Sequence, residues 1–162
     1  MNTVSIRDAV RDEWPAVLAI HRRAIHEIAS ADYPAEVLDA WGSPIIRPDL
    51  AKFDAKIERG QVVLVAEVDG VLAGFGELIP EKNELLAVYV NPDDSHQGVG
   101  TAILHELERL ARKKELSFLQ MDASLTAVPF YKAHGFQVLG RDVHVLRSGG
   151  RMDCMKMRKE LT

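Results

Sequence analysis

The chain has 162 residues, 47% of them hydrophobic and 27% charged, with a net charge of −4 at pH 7. That balance suits one globular domain spanning 1–162 with a real core, and it disfavours a nucleic-acid partner held by a basic face. Its lone cysteine, Cys154, excludes an internal disulfide and fits a reducing cytoplasm, and no apolar run approaches the roughly 18–20 residues that span a bilayer.

Met1 to Arg7 lacks the apolar core of a signal peptide, which fits a cytoplasmic location without membrane attachment, and Val4 to Arg7 alternates as a short strand. Asp12 offers a helix cap and Pro15 is tolerated in the first turn. Val17, Leu18, Ile20, Ala24, Ile25 and Ile28 then form a helical apolar stripe. Tyr33-Pro34 opens a second short helix through Val37, Leu38 and Trp41, ended by Gly42. Pro44 to Pro48 is a connector, and Asp49 to Arg59 reads as a helix. Gln61 to Val68 and Val71 to Ile79 are strands joined by the hairpin signal Asp69-Gly70, and Glu84 to Val90 is a further strand.

A long amphipathic helix follows from about Gly98 to Lys114, with Ile103, Leu104, Leu107, Leu110 and Ala111 on one face and Glu106, Arg109, Arg112 and Lys113 opposite. Ser117 to Met121 is a strand, and Thr126 to Ala133 a short helix with Pro129 in its first turn and Gly135 as its stop. Phe136 to Leu146 and Arg151 to Lys159 are strands joined at Ser148-Gly149-Gly150. Cys154, inside the last of these, reads as a buried inert thiol. The order β-α-α-α-β-β-β-α-β-α-β-β gives a mixed α/β (α+β) fold. A largely antiparallel twisted sheet is flanked by helices, with one parallel crossover.

The stretch Val88-Tyr89-Val90-Asn91-Pro92-Asp93-Asp94-Ser95-His96-Gln97-Gly98-Val99-Gly100-Thr101-Ala102-Ile103-Leu104 carries the most chemical information. A strand runs into a polar loop, two glycines and a helix start, where free backbone N–H groups can hold an anion without a lysine. The local pattern alone leaves two readings open, a phosphate cradle and an ordinary strand–helix connection. Three better-known phosphate motifs fail. Gly100 is followed by Thr101-Ala102 rather than Lys-Ser/Thr, Ile103 stands where a dinucleotide fingerprint needs its third glycine, and no kinase catalytic motifs follow.

Taken together, these residues resemble the GCN5-related N-acetyltransferase (GNAT) family. Ser95-His96-Gln97-Gly98-Val99-Gly100 is similar to its acetyl-CoA motif Arg/Gln-x-x-Gly-x-Gly/Ala, and Glu84 to Val90 with Pro92 is similar to the strand that precedes it. Ser124 to Phe136, with Ala127, Tyr131 and Gly135-Phe136, resembles the next family segment. Ser95 departs from the usual Arg or Gln, His96 from a common Gly, and Ser124 from a frequent Asn.

The resemblance implies an enzyme that moves the acetyl group of acetyl-CoA directly to a primary amine of a small molecule or a protein. It implies that the amides of Gln97, Gly98, Val99, Gly100 and Thr101 bind the pyrophosphate, with Ser95, His96 and Ser124 as neighbouring contacts. It also implies that Val88 and Val90 pair with the pantetheine arm, that Tyr131 protonates the leaving thiolate, and that Glu84 serves as base, with Glu77 competing for that role. For Tyr131 the alternative is a packed helix tyrosine beside Phe130, and for either glutamate a solvated surface side chain. Asp122 either orients groups near the thioester or caps the next helix. The first two helices shape the acceptor pocket in this family, so Arg23, Tyr33 and Trp41 are candidate substrate contacts, with Glu77 and Asp122.

No metal site is expected: His26-Glu27-Ile28-Ala29-Ser30 lacks the second histidine of a zinc protease, and His21 and His26 fall on different helix faces. Mild acidity suits a cationic acceptor. A second reading is a non-catalytic acetyl-CoA sensor; an RNA-directed enzyme is disfavoured by the charge. The C-terminal hairpin, Phe136 to Lys159, is placed to build a homodimer.

Overall fold

Seven strands form one sheet in the computed structural model, which describes residues 3–162. Met1 and Asn2, at the head of the segment read for a leader, lie outside the described residues. The strands are β1 (Val4–Asp8), β2 (Val62–Val68), β3 (Val71–Ile79), β4 (Glu84–Val90), β5 (Phe118–Ser124), β6 (Gln137–Val145) and β7 (Arg151–Glu160). They lie in the order β1-β2-β3-β4-β5-β7-β6, antiparallel at every junction except β4–β5. Five helices flank the sheet: α1 (Trp14–Ile28), α2 (Ala35–Trp41), α3 (Leu50–Glu58), α4 (Val99–Lys113) and α5 (Val128–Ala133). The expected fold class and element order therefore hold.

Local chemistry explains most boundaries. Asp69 (φ 52°) and Gly70 (φ 83°) both take positive φ, the geometry that turns β2 into β3 in a two-residue hairpin. Asp49 caps α3 by accepting the Ala51 N–H at 3.0 Å, and the Gly42 N–H closes α2 on the Leu38 carbonyl at 2.8 Å. The start of α1 differs from the sequence reading. Asp12 lies in a 3-10 turn, Arg11–Glu13, and does not cap; instead the Glu13 carboxylate accepts the Val10 N–H at 2.9 Å.

Each face of the sheet has its own core. On one, α4 buries Ile103, Leu104, Leu107 and Ala111 against Leu85, Leu119, Met121 and Met157. Each of these leucine, isoleucine and methionine side chains contributes about 1.5–3 kcal/mol of burial. Gly74 and Gly76 of β3 let α4 come this close: a Cβ at Gly76 would stand 2.5 Å from Ile103 Cγ2 and 2.8 Å from Leu107 Cδ1. On the other face, α1 and α3 pack Trp14, Val17, Ile20 and Phe53 against Val63, Val65 and Phe75. Ile28, read as part of the α1 stripe, is exposed because the stripe outruns that core.

Candidate active site

The parallel junction is the irregular one. β4 and β5 pair only at Glu84↔Gln120. Asn83 closes that end, its carbonyl accepting the Gln120 N–H at 2.8 Å and its side chain donating to the Phe118 carbonyl at 3.1 Å. Beyond this point the two strands part. The Asn91 N–H turns toward β3, donating to Ala73 O at 2.7 Å. The alternation of a strand then directs the N–H and C=O of Val88 and Val90 away from β3, into the gap. A bulge opposite Glu77/Leu78 inserts Leu86, so that Leu85 faces the α4 core while Ala87 packs in the α1 core.

The N-terminus of α4 points at the same gap. Gly98 holds the N-cap in the left-handed region (φ 80°), with no side chain capping the helix, so its first N–H groups stay available. His96 also takes a left-handed φ of 62°, the conformation for which glycine is favoured. A Cβ on Gly98 would enter open space, and one on Gly100 would press within 3.3 Å of the Phe130 ring. A cradle of bare amides with open space above it fits a phosphate group.

Between the parted strands lies an apolar cavity of about 220 Å³, walled by Val88, Val90, Gly100, Thr126, Phe130 and Tyr131. Tyr131, carried on α5, is 3% exposed, and burial pushes its phenol well above the ordinary range, so it stays protonated. Among the described residues Thr126 Oγ1 is a buried side-chain polar atom with no hydrogen-bond partner, in the wall of this cavity. The Ser124 hydroxyl accepts the Ala127 N–H at 3.3 Å, which leaves its own O–H free to donate. Long apolar walls with a few polar points fit a pantetheine arm.

A second cavity of about 280 Å³ lies on the α1 face of the sheet, walled by Glu77, Glu84, Tyr89, Asp122, Cys154 and His21 among others. Glu77 is 7% exposed, so the solvated-surface reading of this residue fails; it accepts from Lys56 Nζ at 2.7 Å. Glu84 borders the cavity and makes no ion pair among the described residues. Asp122 is paired with Lys156 at 3.1 Å from within β5, so it does not cap α5. His21 stands over this cavity, its ring 4.7 Å from that of Tyr89, and burial pushes its pKa down to about 4. Burial likewise raises the Tyr89 phenol and the Cys154 thiol, the latter as inert as its strand placement implies.

Two candidate substrate contacts lie elsewhere. Arg23 is taken up by Glu27 (2.6 Å), Asp93 (2.9 Å) and Asn91 Oδ1 (2.8 Å), a clamp from α1 to the loop before α4. Tyr33 donates to the Asp153 carbonyl at 2.5 Å and accepts the Leu125 N–H at 2.8 Å, tying β7 to the end of β5. Its ring backs Trp41 at 5.7 Å. Trp41 itself borders both cavities and an outer groove. His21, Tyr89 and Thr126 line these cavities without having been singled out as contacts; Tyr89 and Thr126 fall inside the motif segments, and the i, i+7 spacing of Trp14 and His21 on α1 was the available sign that His21 faces inward.

Comparison with known proteins agrees with this geometry. The family described as "Acetyltransferase (GNAT) domain" matches residues 29–161. An uncharacterized N-acetyltransferase, YafP of Escherichia coli K12, is 31% identical over 139 residues, covering 86% of this chain and 85% of its own. A spermidine N(1)-acetyltransferase of Thermoplasma acidophilum is 27% identical over 152 residues, covering 86% of this chain and 92% of its own. The crystal structure of a GCN5-related N-acetyltransferase from Rhodopseudomonas palustris superposes with a TM-score of 0.88 at 30% identity, covering 99% of this chain and 97% of that one.

Proposed function

Because this chain belongs to the GNAT acetyltransferase family, we propose that the parting of β4 from β5 is its acyl-transfer site, worked by the residues that border it. The chain is an acetyl-CoA-dependent N-acetyltransferase with an amine as acceptor. Acetyl-CoA supplies a thioester carbonyl and a thiolate leaving group.

The remaining roles fall to this chain. The amides of Gln97, Gly98, Val99, Gly100 and Thr101 hold the pyrophosphate, and Ser95 and His96 lead the backbone into that cradle. Ser95 is too short for a long-side-chain contact, so the amides and helix dipole carry more of the anion. Val88 and Val90 receive the pantetheine arm as an added strand, and the Val88 N–H faces the carbonyl that must be polarised. Ser124 and Thr126 offer hydroxyls to the same arm. Tyr131 donates to the departing sulfur; the dry cavity that raises its phenol disfavours the free thiolate too, which keeps the two acidities near each other.

Glu84 takes the acceptor's proton. Its carboxylate borders the cavity with no counter-ion among the described residues, whereas Glu77 is committed to Lys56 and Asp122 to Lys156. Glu84 is therefore the uncompensated charge that draws in an ammonium group, with Glu77 and Asp122 held beside it by their lysines. Trp41 separates the acyl and acceptor sides, and Tyr33 and Arg23 act at a distance, positioning Trp41 and the loop before α4.

The single observation that carries this reading is the one-pair contact of β4 with β5, which opens the Val88 and Val90 backbone toward Tyr131. Thermal stabilisation by acetyl-CoA tests it, with desphospho-CoA, ATP and NADH as controls. At about 100 times its Kd, acetyl-CoA adds about 2.7 kcal/mol of stability. Equal shifts from ATP or NADH, or none from acetyl-CoA, overturn the site.

The same reading takes 1–162 as one acetyltransferase domain, since the sheet runs from Val4 to Glu160. It places a homodimer contact on β6, an outer strand of the sheet with Val138, Leu139, Val143 and Val145 exposed. It assigns no nucleic-acid partner, in line with the net charge of −4, and a cytoplasmic setting; among the described residues no helix is long and apolar enough to cross a membrane.

A further inference from the structure

The outer groove is the largest of the cavities described, about 620 Å³, and it lies between α1, the connector 42–49 and the turn after β6. Its charge contrasts with that of the chain. Arg22, Arg47, Lys52 and Arg147 line it, and among the described residues none of these four makes an ion pair or a side-chain hydrogen bond. Elsewhere arginines are mostly engaged: Arg7, Arg11, Arg23, Arg109, Arg112, Arg141 and Arg158 all face carboxylates. Among the described residues Arg22, Arg47, Arg59, Arg147 and Arg151 do not, and three of those five line this groove. The two acids in its wall are both occupied, Asp49 by the start of α3 and Glu77 by Lys56. All four cations are exposed, and guanidinium groups gathered without carboxylate partners on one rim have donors to offer an anion.

The groove adjoins the inner cavity: His21, Trp41 and Glu77 line both. Polarity reverses from one to the other. Glu84, beside the ion-paired Glu77 and Asp122, stands at the inner end, and the arginines and Lys52 at the outer end. Trp14, Leu18 and Phe75 give the groove apolar walls, and Ile45 and Ile46 of the connector stand at its rim, the latter 92% exposed. Mild acidity of the whole chain suits a cationic group, and the groove adds a cationic rim of its own.

We infer that the acceptor is a zwitterion of the amino-acid type, its amine drawn to Glu84 and its carboxylate held by Arg22, Arg47, Lys52 and Arg147 across an apolar body. The inference rests on the acyl-transfer site proposed above. A diamine would set its second ammonium against the four cations, and a simple alkylamine would leave them unused. The chemistry is unchanged and balanced: a C–N bond forms, the thioester C–S bond breaks, and two protons leave the ammonium nitrogen. One proton ends on the CoA sulfur and one is released.

The test uses 6-aminohexanoate, hexylamine and 1,6-diaminohexane as acceptors for the full chain with saturating acetyl-CoA, read by free thiol release. The expected kcat/KM for 6-aminohexanoate exceeds that for either other amine by about tenfold, the scale of one charge-assisted contact. In the double variant Arg47→Glu/Arg147→Glu that ratio falls to about one, with the loss in KM. Hexylamine or the diamine serving as well as 6-aminohexanoate in the parent chain overturns the inference and leaves the acyl-transfer site standing. If acetyl-CoA binds yet no amine releases thiol, the acyl-transfer reading falls, and calorimetry on the CoA-bound chain decides the groove by itself. Tighter binding of 6-acetamidohexanoate than of N-hexylacetamide supports the anion site, and equal binding overturns it.

Discussion

Lys56 Nζ donates to Glu77 Oε1 at 2.7 Å, joining α3 to β3 beside the wall shared by the inner cavity and the outer groove. The pair is largely shielded, with side-chain exposures of 22% and 10%. Removing one partner strands the other charge in a place where water reaches it poorly. Lys56→Met is therefore expected to destabilise the fold by about 1–3 kcal/mol, below the value for a fully buried pair because the ammonium keeps some solvent. Adding Glu77→Gln should recover most of the loss. Urea titration of the four combinations measures the coupling, and strictly additive losses would sink this account.

Tyr131→Phe isolates the proton donor. It removes one oxygen and keeps the ring that packs against Phe130 and Phe136. Turnover is expected to fall by about 100-fold, while thermal stabilisation by acetyl-CoA persists. Loss of both in parallel would reassign the hydroxyl to cofactor binding.

His21 sets an acid limit on stability. Its folded pKa of about 4 lies below the unfolded value near 6.5 because burial penalises the imidazolium. Above pH 6.5 both states are neutral at this ring and nothing is lost. As pH falls from about 6.5 toward 4, the unfolded chain takes up a proton that the folded chain refuses, so stability declines, by about 3 kcal/mol in all. His21→Phe keeps an aromatic ring beside Tyr89 and Trp41 and should flatten that limb. Parallel slopes of parent and variant between pH 7 and pH 4 would clear His21 of the effect.

Gly76→Ala tests whether α4 is held at the height the phosphate cradle needs. The new Cβ would meet the Ile103 Cγ2 and Leu107 Cδ1 methyls at under van der Waals distance, so either these side chains repack or the helix rides outward. Overpacking of this kind costs about 1–3 kcal/mol. If the helix rides outward, the start that forms the cradle moves with it and acetyl-CoA affinity falls in the same variant. Unchanged affinity would mean that the side chains repack around the Cβ or that the loop from Asn91 to Gly98 fixes the cradle independently of α4.

Period and punctuation in the sequence were enough for the strands and for α4, because Asp69-Gly70, Gly42 and Gly135 end elements by backbone chemistry that acts locally. The glycine loop was legible for the same reason. The α1 start was misread because capping depends on where a side chain folds back, and Glu13 outcompetes Asp12 only once Val10 is extended. Arg23 looked like a substrate contact since nothing in the chain announces that Asp93, 70 residues later, will arrive beside it. His21, Tyr89 and Glu77 converge from α1, β4 and β3, and the bulge at Leu86 that brings Ala87 and Tyr89 to the α1 face leaves no signature in composition. The cationic rim of the outer groove is invisible to a net count for the same reason.

Thr126 yields a prediction of opposite sign in its two readouts. Its hydroxyl is buried with no partner among the described residues, a state that costs about 1–3 kcal/mol relative to a bonded or solvated one. Thr126→Val keeps the shape and removes the oxygen, so the chain without acetyl-CoA should gain up to about 1 kcal/mol once imperfect repacking is allowed for. The same change deletes a donor from the wall of the cavity between β4 and β5, so acetyl-CoA should bind several-fold more weakly, on the order of one lost hydrogen bond. Melting curves with and without acetyl-CoA measure both at once. A variant less stable alone and equally stabilised by acetyl-CoA would show that the hydroxyl serves the fold and not the ligand.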